Sequence, residues 1–505
     1  MVILFITNDF EGRLKMPSRE IESIWTKEVK FSEREQLQKD LKVDVVVIGA
    51  GMAGILTAKQ LQEAGLKVVI LEGYKIAGGQ TQNTTAKITS QHGLIYDKLI
   101  ENFGTEKALL YARANEEAIE DYAAIVKKNN IDCNFERYPA YLYSTESEEE
   151  LEKELKAALK CSIHADFTTK TTLPFDVKGA IKFNNQAQFN PLEFLKSISA
   201  SLEIYEHTLV KGIEDNIAVA DLGKVKADAI VVTSHYPFIN MPGYYFLRTH
   251  QERAYAIALS NAAKMDGMYR DANKKGLSFR NYKDLLIFSG GEHRTGENKE
   301  GNKYETLRNL SSRYYKDATE TAYWSAQDCM TLDGVPYIGL YSDTTPSLYV
   351  ATGFNKWGMT TSMIASKIIS DMIIGKKNVY EEVFTPKRFK VSASMTSLLQ
   401  ETKHVASGIF LKKLKPATES LNEIAPNKGG IIEIEGEKVG VYKDGNEDVY
   451  IVSIKCTHLG CQLEWNQDEL TWDCPCHGSR YDYKGVVLDN PAMLDLSSME
   501  DLKHE

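Results

Sequence analysis

The feature that most constrains this chain of 505 residues is a group of cysteines and histidines near its C-terminus. Four of the seven cysteines fall within 21 residues of one another, whereas Cys133, Cys161 and Cys329 are scattered. The group reads Cys456-Thr-His458-Leu-Gly-Cys461, then twelve residues, then Cys474-Pro-Cys476-His477-Gly-Ser479. Clustered cysteine in a protein that we expect to be intracellular indicates a metal site before a disulfide. The segment is therefore expected to fold as two short ligand loops that face each other.

The spacing bears on which metal centre the loops hold. Zinc is one alternative, because four cysteines and two histidines can supply a tetrahedral site. Zinc modules usually present C-x2-C or H-x3-H pairs, whereas the two halves here are C-x-H and C-x-x-H, each with an additional cysteine. In order and spacing the segment resembles the Rieske 2Fe-2S family, and the 15 residues between His458 and Cys474 are typical of it.

The Rieske resemblance implies a set of ligands and a disulfide. It implies two thiolates on one iron and two imidazoles on the other, which are Cys456 and Cys474, then His458 and His477. It also implies that Cys461 and Cys476 form the disulfide found in Rieske proteins of quinol-oxidising cytochrome complexes; two free thiols are the alternative. Ser479 and Tyr481 match hydroxyl groups of that subgroup, which raise the reduction potential by donating to sulfur. We expect a relatively high-potential cluster.

The sequence around these loops predicts a small all-β module over residues 429–505. Apolar and polar residues alternate from 429 to 452, which is the pattern of short half-buried strands. This module contains 16 acidic and 6 basic residues, whereas residues 1–428 contain 54 of each. The acidic surface suits a basic partner, and it is unlike the basic face of a nucleic-acid-binding protein.

A second cofactor motif lies near the N-terminus. The β-branched run 43–48 is followed by Gly49-Ala50-Gly51-Met52-Ala53-Gly54, then by a helical pattern and a second strand that ends in Glu72. This order predicts a dinucleotide-binding unit, in which Gly49 permits a tight turn, Gly51 admits a pyrophosphate and Gly54 allows close packing. Glu72 is expected to accept hydrogen bonds from ribose hydroxyls. FAD and NAD share the motif, so the motif alone does not decide between them.

Further segments indicate which dinucleotide binds. Residues 78–87, 333–339 and 351–360 resemble the D-amino-acid-oxidase-like family of FAD-dependent oxidoreductases. The resemblance covers about 42–375 and implies FAD, with the late strand-to-helix turn at the flavin. Together the glycine motif and the resemblance predict these contacts: Gly49, Ala50, Gly51, Met52, Ala53, Gly54, Glu72, Gly79, Thr84, Thr85, Ala86, Lys87, Gly353, Gly358, Met359 and Thr360.

The predicted fold is an α/β Rossmann-like FAD-binding domain with an inserted α+β substrate domain, followed by a small all-β Rieske domain. The expected division is an N-terminal extension over 1–41, an oxidoreductase over 42–375, a basic connector over 376–428 and the Rieske domain over 429–505. Within the oxidoreductase, FAD-binding segments are expected at about 42–95, 171–239 and 326–375, and the substrate domain at about 96–170 and 240–325. Met1 and Met16 are both candidate start residues.

Three residues are candidates for contact with a substrate. His293 and Arg294 follow a predicted strand and could bind a carboxylate or move a proton, and Gln327 precedes the Asp333 motif. The alternative for His293 and Arg294 is a surface or structural role. Because hydride passes directly to the flavin in the resembled family, a side-chain base is not required.

The pairing of a two-electron flavin with a one-electron cluster favours a dehydrogenase. We expect a small amine or amino-acid-like substrate to be oxidised at FAD and its electrons to pass singly to the cluster, then to an external acceptor protein or quinone. The alternative is an electron-transfer or redox-sensing module without a small-molecule substrate. The ten histidines include no pair spaced for the mononuclear iron of a Rieske oxygenase, and a single dinucleotide motif disfavours a reductase fed by NAD(P)H.

The sequence also bears on location. No stretch approaches the roughly 20 apolar residues that cross a bilayer, and the apolar run 1–7 lacks the basic region of a signal peptide. We expect a cytoplasmic protein that is not integral to a membrane and has no nucleic-acid partner.

Overall fold

A computed structural model describes residues 21–298, 300–388 and 420–498. The α-helices in these ranges are Ile24–Glu28, Met52–Glu63, Tyr96–Phe103, Thr105–Lys128, Glu148–Lys160, Pro191–Ile198, Lys303–Tyr314, Gly358–Ile373 and Glu381–Phe384. Short 3₁₀ turns are Gln80–Asn83, Tyr245–Leu247, Pro386–Arg388 and Leu421–Glu423. Among these described helices, none has the length and hydropathy that a bilayer crossing requires.

The first large sheet contains the parallel strands that the sequence predicts. Its strands lie in the spatial order Val210–Glu214, Ile217–Ala220, Lys224–Val232, Leu41–Ile48, Val68–Leu71 and Glu203–Tyr205, with Leu348–Thr352 also on Lys224–Val232 and Tyr337–Leu340 beyond it. Leu41–Ile48 is parallel to both of its neighbours. Lys224–Val232 thus lies beside the first strand, within the FAD-binding segment expected at about 171–239.

Two helices begin at the same edge of this sheet. Met52–Glu63 follows the strand Leu41–Ile48, and Gly358–Ile373 follows the strand Leu348–Thr352. Both strands run parallel to Lys224–Val232, so their carboxyl ends lie on one side. The two helices pack on each other and cover one face of the sheet with apolar side chains. Their N-termini consequently point to one region, which is where a doubly wound sheet binds its ligand.

The second large sheet is mostly antiparallel. Its strands lie in the order Thr319–Thr331, Thr249–Ser260, Leu285–Arg294, Ser278–Tyr282, Met268–Asp271, Ala140–Ser144, Gly179–Phe183 and Ala165–Thr168. Gly179–Phe183 and the whole of Thr319–Thr331 belong to this sheet, which therefore extends past the boundaries expected at about 170 and 325 for the substrate domain. The reason is pairing: Gly179–Phe183 has both neighbours in this sheet, and Thr319–Thr331 pairs along its length with Thr249–Ser260.

The C-terminal module consists of two small antiparallel sheets. One contains Lys428–Ile434, Glu437–Lys443 and Val449–Ser453, and the other contains Glu464–Asn466, Thr471–Asp473, Arg480–Asp482 and Val487–Asp489. The strands predicted from the alternation over 429–452 are confirmed. The two cysteine loops connect strands, which hold them at one end of the module.

The residues before the first strand are part of the oxidoreductase. Trp25 is fully buried, and its ring nitrogen donates to the Thr84 carbonyl at 2.7 Å. Glu28 accepts a hydrogen bond from the Tyr282 hydroxyl at 2.6 Å. The predicted extension over 1–41 therefore does not lie apart from the domain where the structure describes it, from residue 21. Most of the predicted connector and the choice between Met1 and Met16 lie outside the described residues.

Candidate cofactor sites and the interface between them

The glycine-rich turn after Leu41–Ile48 is held by contacts that only glycine tolerates. Gly49 has a φ of +105°, and a β-carbon on Gly54 would lie 1.9 Å from the carbonyl oxygen of Gly49. A β-carbon on Gly51 would meet only the Thr81 hydroxyl, at 3.2 Å. The helix Met52–Glu63 therefore begins close against the strand, with space before its first turn. The N–H groups of its first turn and its positive dipole end suit a phosphate.

Glu72 lies at the end of the second strand and contacts the glycine turn. Its carboxylate accepts hydrogen bonds from the backbone N–H groups of Ala50 at 2.7 Å and Tyr74 at 2.9 Å. Burial raises the pKa of Glu72, while these two N–H groups act in the opposite direction. The carboxylate is thus fixed beside the turn, at a position where it can accept a ribose hydroxyl.

A cavity of about 1130 Å³ extends from the glycine turn to the second sheet. Most of the predicted FAD contacts line it, namely Gly49, Gly51, Met52, Ala53, Glu72, Gly79, Thr84, Thr85, Lys87, Gly358 and Met359. The others are not among the described lining residues, namely Ala50, Gly54, Ala86, Gly353 and Thr360. The helix Gly358–Ile373 begins at this cavity, so its positive end faces the interior.

Five charged side chains at one end of the cavity form a group that we call the ion cluster: Glu252, Arg270, Glu292, Asp328 and Lys356. All of them except Glu252 line the cavity. Lys356 comes from the turn before helix Gly358–Ile373, and the other four come from the second sheet. The Lys356 ammonium lies 2.9 Å from a carboxylate oxygen of Glu252 and 2.6 Å from one of Glu292. Glu292 also accepts two hydrogen bonds from Arg270, at 3.0 and 3.3 Å. Asp328 lies opposite Glu252 on the neighbouring strand. Burial raises the pKa of Asp328 to about 6, although Lys356 acts to lower it.

The two cysteine loops bring the predicted metal ligands together. The rings of His458 and His477 are 5.0 Å apart between centroids and nearly perpendicular. Cys461 and Cys476 form a disulfide, whereas Cys456 and Cys474 are buried free thiols. The sulfur atoms of Cys461, Cys474 and Cys476 lie within 4.8 Å of one another, but the disulfide occupies two of them, which leaves Cys474 available to a metal.

Residues 44–372 match the family described as FAD dependent oxidoreductase, and this match covers more than half of the chain. The chain belongs to this family. Residues 417–500 match the Rieske [2Fe-2S] domain, so a Rieske domain follows the flavin domain. The two matches confirm the predicted fold class and both predicted cofactors, FAD and a 2Fe-2S cluster. Neither match identifies a substrate.

The chain is similar along nearly its whole length to one known protein and, in its Rieske region, to another. The chain is 35% identical over 496 residues to the putative Rieske 2Fe-2S iron-sulfur protein YhfW of Bacillus subtilis, covering 95% of this chain and 97% of that protein. The Rieske region is 49% identical over 57 residues to the cytochrome b6-f complex iron-sulfur subunit 2 of Cyanophora paradoxa. That second match covers 11% of this chain and 24% of the subunit.

Solved structures share the fold of the flavin domain. Glycine oxidase from Geobacillus kaustophilus matches with a TM-score of 0.58 and 16% identity, covering 69% of this chain and all of that one. L-Proline dehydrogenase from P. horikoshii matches with a TM-score of 0.58 and 17% identity, covering 69% of this chain and 98% of that one. At these identities the likeness establishes the fold of the flavin domain alone.

The Rieske domain offers ligand atoms that suit an iron centre. Nδ1 of His458 and both ring nitrogens of His477 are buried without a hydrogen-bond partner of normal geometry among the described residues. Nε2 of His458 lies 2.9 Å from Asn240 Oδ1, which leaves Nδ1 free to bind metal. Burial lowers the pKa of His458 to about 4 and that of His477 to about 3, which favours the neutral imidazole. The backbone of Phe246 acts against the shift at His477.

The two cysteines predicted to bind iron, Cys456 and Cys474, also lie in surroundings that favour metal binding. Cys456 and Cys474 interact directly, and this contact lowers the pKa of Cys456 to about 6, helped by Tyr481 and Ser479. The Tyr481 hydroxyl lies 3.4 Å from the Cys456 sulfur. The Ser479 oxygen accepts a hydrogen bond from the Ala492 N–H at 3.0 Å, so its own proton can point towards sulfur. The residues present therefore fit a 2Fe-2S cluster.

The flavin domain donates hydrogen bonds to four consecutive carbonyl groups, residues 475–478, of the second cluster loop. Arg294 donates to the first two of them through Nε and Nη2, at 2.9 Å each. The amide nitrogens of Gln251 and Gln327 donate to the third and fourth, also at 2.9 Å each. We call Arg294, Gln251 and Gln327 the carbonyl clamp. Since His477 lies within this loop, the clamp fixes a predicted iron ligand relative to the flavin domain.

The positions of the three predicted substrate residues differ from expectation. His293 and Arg294 are not among the described residues that line the cavity. His293 instead contacts the Tyr255 hydroxyl at 3.0 Å, and Arg294 belongs to the carbonyl clamp. Gln327 does line the cavity, but its amide is bonded to the Rieske domain. The physical reason is that the strand Leu285–Arg294 ends against the Rieske domain rather than over the cavity.

A buried ion network joins the same two domains. Glu469 of the Rieske domain accepts hydrogen bonds from Arg253 of the flavin domain at 2.7 and 2.6 Å, and it lies 3.1 Å from Arg480. Arg480 also pairs with Asp473 at 3.0 Å and Asp489 at 2.9 Å. The side chains of Arg253 and Glu469 are 2% and 6% exposed. An ion pair this deeply buried is costly to break from one side.

Sequence reasoning did not single out several of these residues. Glu292 and Asp328 adjoin the predicted substrate residues His293 and Gln327, and Lys356 lies in the segment 351–360 that resembles the flavoenzyme family, so their charge was the available signal. Gln251 and Arg253 have no local signal, because alternation along a strand is equally typical of any sheet with one solvated face.

Proposed function

We propose that this protein is a flavin-dependent dehydrogenase. It oxidises a small amine or amino-acid-like substrate at FAD and passes the electrons singly, within the same chain, to the Rieske cluster and then to an external acceptor. FAD accepts two electrons from the substrate and the cluster transfers one at a time. The residues of this chain bind and orient the two groups and separate the substrate from the acceptor.

The proposal assigns residues to both groups. Two thiolates hold one iron and two imidazoles hold the other, namely Cys456 and Cys474, then His458 and His477. The lining residues of the glycine turn and of 79–87 bind FAD, and the start of helix Gly358–Ile373 directs its positive end at the flavin, where it stabilises negative charge.

The observation that carries the proposal is the position of Gln327 between the two sites. Its backbone N–H lies at the cavity, where it donates to Gln80 Oε1 at 2.7 Å. Its side chain donates to the carbonyl next to His477 at 2.9 Å. One residue therefore contacts both the flavin cavity and the loop that holds a predicted iron ligand. Residues 487–490 of the Rieske domain, which are its last strand and the residue after it, also line the cavity, which supports transfer inside one chain.

The charge of the Rieske domain bears on the acceptor. Residues 429–505 contain 16 acidic and 6 basic residues. Complementary charge steers association, so the proposed acceptor is a one-electron carrier protein with a basic surface; a quinone is the alternative. Association with a basic carrier should weaken as salt rises.

The experiment is anaerobic absorbance and EPR spectroscopy of the purified protein, with flavin, iron and sulfide measured, during addition of amines and amino acids. The proposal expects one donor to bleach the flavin and a reduced Rieske EPR signal to follow. In the matched control Cys456→Ser, which removes a predicted ligand, the same donor should bleach the flavin without the EPR signal.

Two outcomes would contradict the proposal. If no donor reduces the flavin while the chemically reduced protein delivers electrons to carriers, the protein is an electron-transfer module without a substrate. If a donor bleaches the flavin and oxygen consumption follows at the same rate with the cluster still oxidised, the protein is an oxidase.

A further inference from the structure

The charges on the cavity wall bear on which substrate the flavin domain accepts. Every arginine among the described lining residues already has a carboxylate partner. These residues are Arg253 with Glu469, Arg270 with Glu292 and Arg480 with Asp473. A guanidinium in a bidentate pair has few donors left for a second carboxylate. The wall therefore offers no unpaired arginine to a substrate carboxylate.

Two of the four lysines among the described lining residues, Lys87 and Lys356, lie near the ion cluster, and both are poor sites for an anion. Lys356 lies between Glu252 and Glu292, so its charge is already balanced. Lys87 donates to the Ser278 hydroxyl and to the Tyr269 carbonyl. Burial lowers the pKa of Lys87, and the neighbouring cations Arg270 and Arg280 lower it further, which favours the neutral amine.

Asp328 is the member of the ion cluster whose carboxylate has no hydrogen bond or ion pair among the described residues. It lines the cavity and lies beside Glu252 in the strand register. Four charged groups face it. Lys356 comes from the turn before helix Gly358–Ile373, Glu252 comes from the adjacent strand, and Glu292 and Arg270 come from two other strands of the sheet.

The ion cluster carries an excess of negative charge. It contains two cations, Arg270 and Lys356, and three carboxylates, Glu252, Glu292 and Asp328, which gives a net charge of −1. His250 approaches the other oxygen of Glu252, at 3.5 Å. An unpaired carboxylate in a partly buried site is unfavourable, so a cation that binds there is stabilised and an anion is repelled.

We propose that Asp328 binds the ammonium group of the substrate, and that the substrate is a small cationic amine without a carboxylate. This inference rests on the proposed function, because it names the substrate class of the same site. It excludes amino acids, which the broader proposal includes.

The test uses three compounds of similar shape that lack a hydrogen on the carbon bearing the charged groups. They are tert-butylammonium, pivalate and 2-aminoisobutyrate, which are a cation, an anion and a zwitterion. None can be dehydrogenated at the C–N bond, so binding is measured apart from turnover by the change in the absorbance of the bound flavin and by calorimetry. A failure of this inference is therefore distinct from a failure of the proposed dehydrogenase activity.

At about pH 8, where Asp328 with its pKa of about 6 is ionised, tert-butylammonium should bind about tenfold or more tightly than either of the other compounds. Asp328→Asn should weaken that binding by about tenfold or more, and Asp328→Glu should retain the preference for the cation. The control Asp284→Asn changes a carboxylate that is 94% exposed on the same domain, and it should have no effect.

The inference is overturned if pivalate or 2-aminoisobutyrate binds as tightly as the cation to the unmodified holoprotein. It is equally overturned if the cation produces no change, or if Asp328→Asn with full flavin content binds it unchanged. The comparison of the three compounds uses the unmodified holoprotein. It therefore tests the inference even if a variant fails to fold.

Discussion

Gln327 and Asp328 are adjacent on one strand and serve opposite faces of the second sheet. Gln327 lies opposite Arg253 and donates to the cluster loop of the Rieske domain at 2.9 Å, whereas Asp328 lies opposite Glu252 and belongs to the ion cluster. Successive side chains of a strand alternate between its faces. The cavity wall proposed to bind the substrate and the loop proposed to hold iron thus lie on opposite faces of the same sheet.

The first prediction concerns Gln327. Gln327→Met keeps the length of the side chain but removes the hydrogen bond to the Gly478 carbonyl. The buried carbonyl is then left without a donor, which should weaken the docking of the cluster loop by about 1–3 kcal/mol. In stopped-flow measurements with an identified donor, the flavin should be reduced at the normal rate and the cluster more slowly. Gln467→Met is the control, because Gln467 contacts Trp465 and Asn427 within the Rieske domain. Unchanged cluster reduction in Gln327→Met would remove Gln327 from the transfer route.

The second prediction concerns Arg294 and the potential of the cluster. A fixed positive charge near the cluster favours its reduced form, so Arg294→Gln should lower the reduction potential. Coulomb's law gives on the order of 1 kcal/mol for a unit charge within about 15 Å at an effective dielectric constant near 20. EPR-monitored redox titration measures the shift, and Arg294→Lys should restore most of it. Arg308→Gln, at an ion pair with Glu305 and Glu320, is the control; an equal shift there would contradict the argument.

The third prediction concerns Glu469 and acid stability. Burial alone would raise its pKa, but Arg253 and Arg480 lower it to about 2. A depressed pKa stabilises the folded state above the unfolded value of about 4.3, and that stabilisation is lost as pH falls towards about 2. Glu469→Gln should cost about 3–5 kcal/mol at neutral pH, because it leaves Arg253 buried without its partner.

Urea denaturation followed by tryptophan fluorescence measures this effect at several pH values. The difference between the unmodified protein and Glu469→Gln should narrow between about pH 4.3 and pH 2. The exposed pair of Glu305 and Arg308 gives the control Glu305→Gln, which should change stability by about 0.5 kcal/mol or less. A difference between the unmodified protein and Glu469→Gln that stays constant with pH would show that Glu469 is not ionised in the folded state.

The fourth prediction gives the pH dependence of cation binding. Protonation of Asp328 removes the charge that holds the ammonium group, so affinity for tert-butylammonium should fall as pH drops below about 6. The decline should approach about tenfold per pH unit, as expected for one titrating group. Calorimetric titration from about pH 8 to pH 5 measures it. In Asp328→Asn the remaining affinity should not change over this range; a parallel decline would assign the titration to another group.

The sequence predicts the parts of the sites whose geometry is local. The turn at Gly49 and Gly54 follows from spacing, because a strand, a tight turn and a helix are adjacent in the chain. The same holds for Cys456 and His458, which lie on one short loop. Arg294 is different, since its neighbours are set by which strand of the second sheet ends against the Rieske domain. That pairing connects residues far apart in sequence, and no local pattern encodes it.

The charge of the ion cluster is also set by contacts between residues far apart in sequence. Glu292 and Asp328 adjoin the predicted substrate residues His293 and Gln327, and the structure places both at the cavity. The net charge around them depends on Arg270, which belongs to a separate strand, and on Lys356, which belongs to the turn before helix Gly358–Ile373. The preference of the site for a cation or an anion depends on the combined charge of the whole ion cluster. It therefore cannot be predicted until the fold that brings these side chains together is known.

The carbonyl clamp also bears on how fast electrons can pass. Residues 475–478 are held by hydrogen bonds of 2.9 Å on successive carbonyls, with a buried ion pair alongside. A cluster held in this way does not have to search for its donor by diffusion on a tether. The rate of each single-electron step should then depend on a constant separation and on driving force, and it should be insensitive to solvent viscosity.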